Sequence, residues 1–121
     1  MIERKYIVYE VTKDKKDISI ICDCENAETL NTFLSSDVRP FEEWIKSDID
    51  KVLSGEIISK KISGNVCCAE INLKTTKIYD MLIEDDDEYY ATCCEVDTKE
   101  LRQLLDEWCD KVREFKNEYY N

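Results

Sequence analysis

The chain has no histidine, only two glycines and one proline in 121 residues. Without histidine, a nucleophilic cysteine has no imidazole beside it to act as base. Two glycines are too few for most phosphate cradles, and there is no P-loop, Rossmann glycine pattern or G-x-S-x-G elbow. No stretch approaches the ~18 apolar residues of a membrane span. The opening MIERKYIVYE carries Glu3, Arg4 and Lys5 with no long apolar run behind them, so no secretory signal is expected. There is no internal repeat and no Gly/Ser linker, and the length suits one domain over residues 1–121.

Cysteine, by contrast, is plentiful. Cys22, Cys24, Cys67, Cys68, Cys93, Cys94 and Cys109 make an odd set of seven, which cannot all pair within one chain. Together with the missing signal, this implies reduced thiols and a cytoplasmic location. Zinc knuckles use C-x2-C, whereas this chain has C-x-C once and C-C twice. Adjacent residues of a strand point to opposite faces, so Cys67 and Cys68 cannot both ligate one ion. Cys22 and Cys24 share a face and, with Cys93 or Cys94, define a metal-binding alternative. The main reading is that the thiols are small core residues, with no metal or other cofactor and no catalysis. With 28 acidic residues some carboxylates always lie close together, but sequence alone marks none as an acid–base pair in a cleft.

The net charge is −11, and it is unevenly spread. Residues 1–77 carry 14 acids and 12 bases, and residues 97–121 carry seven and five. Residues 78–96 hold seven acids and no base. Such a local field repels phosphate backbones and attracts cationic surfaces, so no direct nucleic-acid or membrane partner is expected.

Periodicity outlines the elements. KYIVYEVT and DISIICDC predict a hairpin, with Ile18, Ile20, Cys22 and Cys24 on one face and KDKK as its loop. NAETLNTFLSS predicts a short helix capped by Asn26, with Leu30, Phe33 and Leu34 inward. PFEEWIKSDIDKVLSG predicts a second, with Pro40 in its first turn, Phe41, Trp44, Ile45, Ile49, Val52 and Leu53 as its stripe, and Gly55 as its stop. EIISKKIS and NVCCAEINL predict strands joined at Gly64-Asn65, with Cys67, Ala69, Ile71 and Leu73 on one face. TKIYDMLI and EYYATCCEV predict a further hairpin around the acid run. VDTKELRQLLDEWCDKVREFKNEYY predicts a long helix opened by Asp97 and Glu100 as a capping box. Its stripe is Leu101, Leu104, Leu105, Trp108, Val112 and Phe115. Leu101, Leu105, Trp108, Val112, Phe115 and Tyr119 also fit coiled-coil spacing, but Leu104 widens the stripe and favours core packing, which implies a monomer or weak homodimer. The expected fold class is α+β: two layers, a mostly antiparallel sheet packed by helices on one face, in the order β-β-α-α-β-β-β-β-α.

The acid run Glu84, Asp85, Asp86, Asp87 and Glu88 admits three readings. A calcium loop would need a glycine at its sixth position, which EDDDEYY lacks. A solvated loop tip would keep an edge soluble. A docking surface for a basic protein gains from Tyr120 and from the three nearby tyrosines Tyr79, Tyr89 and Tyr90, since tyrosine buries a large area and keeps a hydroxyl to donate. The candidate partner-binding set is these three tyrosines with Asp80, Glu84 to Glu88 and Glu95. A DNA mimic is the alternative, but it needs carboxylates spread over a long face.

A hairpin such as IYDMLIEDDDEYYATCCEV closed by a helix such as VDTKELRQLLDEWCDKVREF resembles the immunity proteins of bacterial polymorphic toxin and contact-dependent growth inhibition systems. The likeness spans roughly residues 66 to 120 and is one of type. It implies a cognate toxin, often a basic nuclease, blocked by tight stoichiometric binding without chemistry by this chain.

Overall fold

The computed structural model describes residues 1–120. Strands β1 (Glu3–Thr12) and β2 (Lys15–Asp23) form an antiparallel ribbon. Helix α1 (Ala27–Phe33), a π-helical segment (Leu34–Val38) and helix α2 (Arg39–Leu53) follow without a break. Strands β3 (Ser59–Ser63), β4 (Cys67–Asn72) and β5 (Thr75–Asp80) lead to helix α3 (Asp86–Ala91), strand β6 (Cys94–Asp97) and helix α4 (Thr98–Tyr120). β3 to β6 pair in sequence order as a four-stranded antiparallel sheet. The architecture is therefore α+β with antiparallel pairing, as the sequence predicts. Two features differ from expectation: the strands divide into two sheets, and an extra helix precedes the last strand.

Strand alternation decides which face is core. Ile62, Cys67, Ala69, Ile71, Ile78, Cys94 and Val96 are buried on one face of the larger sheet, where α1, α2 and α4 pack. Leu73, expected beside them, is 54% exposed because β4 ends at Asn72 and the chain turns. On the opposite face Lys61, Glu70, Lys77 and Glu95 stand side by side across the four strands, a row of alternating charge.

The helices obey their stripes. Leu30, Phe33 and Leu34 are buried, as are Ile45, Ile49 and Val52, while Trp44 stays 41% exposed. The stripe of α4 from Leu101 to Phe115 is consumed within the fold, so it is not free to act as a dimer seam. Its start follows the predicted cap: the Glu100 N–H donates to Asp97 Oδ1 at 2.9 Å. Gly55 ends α2 at φ +82°, in the left-handed region.

The two predicted central helices fuse because Pro40 does not stop the first. Pro40 has no N–H to give the carbonyl of Ser36, which loosens the helix there into the π segment and bends α2 at Phe41. The Ser36 carbonyl accepts from Asn65 Nδ2 at 3.4 Å instead, and the Leu34 carbonyl accepts from Trp108 Nε1 at 2.8 Å. Asp37, fully buried in the same segment, accepts from the backbone N–H groups of Asn65 (2.7 Å), Val66 (3.1 Å) and Cys67 (2.8 Å). One carboxylate thus holds the β3–β4 turn against the helical layer.

Candidate functional site

The acid run is not the tip of a plain hairpin. Asp85 caps α3, its Oδ2 accepting from the Glu88 N–H at 2.9 Å. Asp86, Asp87 and Glu88 fill the first turn, where the helix dipole favours negative charge. Tyr89 and Tyr90 therefore lie on a helix, not on the strand that alternation suggested. A six-residue helix shows too little periodicity to be told from a strand.

This segment is pinned at both ends. The Met81 N–H donates to the Val66 carbonyl at 2.8 Å, and Asp80 Oδ1 accepts from the Leu82 N–H at 2.9 Å. At the far end Asn26 Nδ2 donates to the carbonyls of Ala91 (2.9 Å) and Cys93 (2.8 Å). Thr29 Oγ1 donates to the Thr92 carbonyl at 2.7 Å. Asn26 does occupy the cap position of α1, but it is left-handed at φ 57° and its side chain makes no cap bond. Its amide is spent on the α3–β6 connection. Thr29 had no sequence signal at all, since its partner is 63 residues away.

The three tyrosines come together on the sheet face away from α1, α2 and α4. Tyr79 and Tyr89 stack at 5.0 Å between ring centroids, and Tyr90 meets both edge-on at 5.9 and 5.1 Å. Tyr79 Oη donates to Glu70 at 3.4 Å, and Tyr89 Oη lies 3.2 Å from Cys68 Sγ. Burial raises both phenols above the usual tyrosine range, reinforced by Cys93 beside Tyr79 and by Cys68 beside Tyr89. The three are not equally available. Tyr79 is buried, so it supports the cluster rather than meeting a partner, whereas Tyr90 is 67% exposed.

The carboxylates are open. Glu84 to Glu88 and Glu95 are all exposed, and Asp80 is half-buried. Among the described residues none of these seven lies in an ion pair, although Arg4, Arg39, Lys46, Arg102, Lys111 and Arg113 all pair with acids elsewhere. Asp80, Glu88 and Glu28 line a groove of about 430 Å³ together with Thr29 and Ile83, and among the described residues no cation lines it. Lys77 and Glu95 border a second hollow with Tyr79 and Tyr90.

The cysteines form no such site. Cys22, Cys67, Cys68, Cys94 and Cys109 are buried, and all seven are free thiols. Burial pushes Cys22 up to about 11 and Cys67, Cys94 and Cys109 up to about 12, so these thiols stay protonated and poorly nucleophilic at neutral pH. Among the described residues there is no group of three or more metal-ligating side chains. No helix there is long and apolar enough to cross a membrane.

The segment thus presents a pinned run of exposed acids beside an exposed tyrosine. No family model matches the chain, and no solved structure matches it. It is 37% identical over 92 residues to a protein of Bacillus cereus named "Immunity protein", a match covering 76% of each chain. The chain belongs to the same family as that immunity protein.

Proposed function

We propose that this chain is an immunity protein that neutralises a cognate toxin by stoichiometric binding in the cytoplasm. The toxin is a basic protein, of which a nuclease is the kind that best fits, and the chain itself does no chemistry. The observation that carries the reading is the run of five exposed carboxylates, Glu84 to Glu88, that make no ion pair among the described residues, on a segment fixed at both ends. Unpaired exposed acids on a rigid frame lose little entropy on docking and gain charge-assisted hydrogen bonds to Arg and Lys. Asp86, Asp87 and Glu84 steer the encounter, and Tyr90 packs at the contact with Tyr89 and Tyr79 behind it. The groove between Glu28, Asp80 and Glu88 accepts one arginine or lysine side chain. Glu95 borders the same surface.

The test is Asp86→Lys combined with Asp87→Lys, which spares Asp85 and so keeps the cap of α3. Reversing two charges should weaken toxin binding by ~10²-fold or more and reduce its salt dependence. Unchanged affinity and unchanged salt slope would place the interface elsewhere.

A further inference from the structure

The β1–β2 ribbon has no part in the acidic surface. Residues 3–23 hold five acids and five bases, so the whole net charge of −11 lies on the rest of the chain. A basic partner is therefore not drawn to the ribbon. Yet Ile7, Val8, Tyr9, Val11 and Ile21 are each 38–49% exposed on it.

The two edges of the ribbon are treated differently. Tyr120 Oη accepts from the Lys16 N–H at 2.9 Å and donates to the Lys16 carbonyl at 2.6 Å. Asn31 Oδ1 accepts from the Cys22 N–H at 2.9 Å, and Arg39 reaches the Ile18 carbonyl at 3.5 Å. Side chains thus close the outer edge of β2. The same four bonds show that Lys16, Ile18 and Cys22 turn their backbone groups away from β1. Their opposite numbers Glu10, Val8 and Arg4 must then turn theirs to the outer edge of β1, and Tyr6 with them. Among the described residues β1 has β2 as its one strand neighbour. Helix α4 packs beneath β2 and reaches β1 through side chains, with Trp108 under Tyr6 and Glu107 on Arg4, so it lies on the face of β1 and not across its edge.

We propose that the edge of β1 is an interface for a second copy of this chain, the two β1 strands pairing antiparallel about a two-fold axis at Ile7. Only registers that oppose outward-turned residues can bond, which restricts the axis to a residue rather than a gap. An axis at Ile7 sets Arg4 of each copy against Glu10 of the other and Tyr6 against Val8, with the two Ile7 side chains face to face. An axis at Val8 would set Tyr6 against Glu10 and Lys5 against Val11, losing both the charge match and the apolar match. Pairing stops at four strands, because the new outer edges are the closed edges of β2. The product is a discrete dimer and not a fibre.

The experiment is sedimentation over a concentration series extending to ~100 µM, a range that detects micromolar association. The unmodified chain should move toward twice its 14.3 kDa mass. Ile7→Lys, on an exposed position, should remain monomeric with an unchanged circular dichroism spectrum. Register is read separately by copper–phenanthroline oxidation. Ile7→Cys places two thiols on a closely spaced pair, within disulfide reach, and should cross-link well above the unmodified chain; Val8→Cys should not. A monomer at every concentration, a dimer that survives Ile7→Lys, or equal cross-linking at both positions would overturn the proposal. Toxin neutralisation by the Ile7→Lys monomer should persist, so this outcome is independent of the acidic surface.

Discussion

Replacing Asp37 by alanine removes the acceptor for three backbone donors at once. Of these, the Cys67 N–H is in a residue 1% exposed and would be stranded, at a cost of about 1–3 kcal/mol. The N–H groups of Asn65 and Val66 are nearer solvent and would lose about 1 kcal/mol each. Relief of a desolvated carboxylate works the other way, leaving an expected net loss of about 3 kcal/mol. That is a large part of the ~5–15 kcal/mol stability of a domain this size. Gly64 provides the internal check. Its φ lies outside the left-handed region, so backbone strain does not demand glycine, but a Cβ there would sit 2.6 Å from Asp37 Cγ. Gly64→Ala should therefore cost about 1–3 kcal/mol in the unmodified chain, where three donors hold the carboxylate in place. In the Asp37→Ala background the obstruction is gone, and the same change should cost less than about 0.5 kcal/mol. Urea unfolding followed by tryptophan fluorescence measures all four chains. Additive costs, within about 0.5 kcal/mol, would refute the idea that glycine is needed for the close approach of Asp37. A loss below about 1 kcal/mol for Asp37→Ala would refute the anchoring role itself.

Two further outcomes are expected. Burial works to raise the Glu42 carboxyl, but hydrogen bonds from Lys46 and Arg113 outweigh it and hold the group below the usual range; Asp106, desolvated in part and bonded by Arg102 and Lys46, behaves alike. A depressed folded pKa gives stability that is present above the unfolded value near ~4 and lost as pH falls through the folded value. Tm should therefore fall on acidification below pH ~4, and Glu42→Gln should make that limb shallower; an identical acid limb in the variant would dismiss the network. For the thiols, a native titration with a disulfide reagent at neutral pH should modify at most Cys24 and Cys93, the two that are not buried, and all seven only after unfolding. Rapid reaction of Cys67 or Cys109 in the native state would show that the core opens readily.

What could be read from the sequence was whatever is local and periodic. The stripes of α2 and α4, the Asp97 cap and the inward alternation of β2 and β4 rest on spacing alone, and spacing is a property of neighbours. What could not be read depends on distant partners. Asn26 looks like a cap in sequence, and only the approach of residues 91–93 shows that its amide is engaged elsewhere. Gly64 looks like a turn residue, and only Asp37, 27 positions earlier, shows that it is glycine for want of room. The acid run was legible as a surface, yet its capping of α3 was not, because the apolar residues around Tyr89 and Tyr90 alternate as a strand would. The candidate residues lie close together in space, with Tyr79 buried and Tyr90 exposed.

The partition of charge gives the two proposed surfaces opposite responses to salt. At the acidic segment attraction is between unlike charges, so added salt screens it and binding of a basic toxin weakens. At the β1 edge the contact is mainly apolar and backbone-bonded, with the Arg4–Glu10 pairs at its ends worth little, while two bodies of charge −11 repel at longer range. Salt screens that repulsion, so pairing of two copies should strengthen between ~0.02 and ~0.3 M, where the Debye length falls below the separation of most of the charges. The ribbon is neutral, which lets two acidic bodies approach at the one place where neither presents its field. Its exposed apolar residues are therefore not a defect beside a charged binding surface. They lie where self-contact is least opposed, and they leave the acidic segment of each copy free for its own partner.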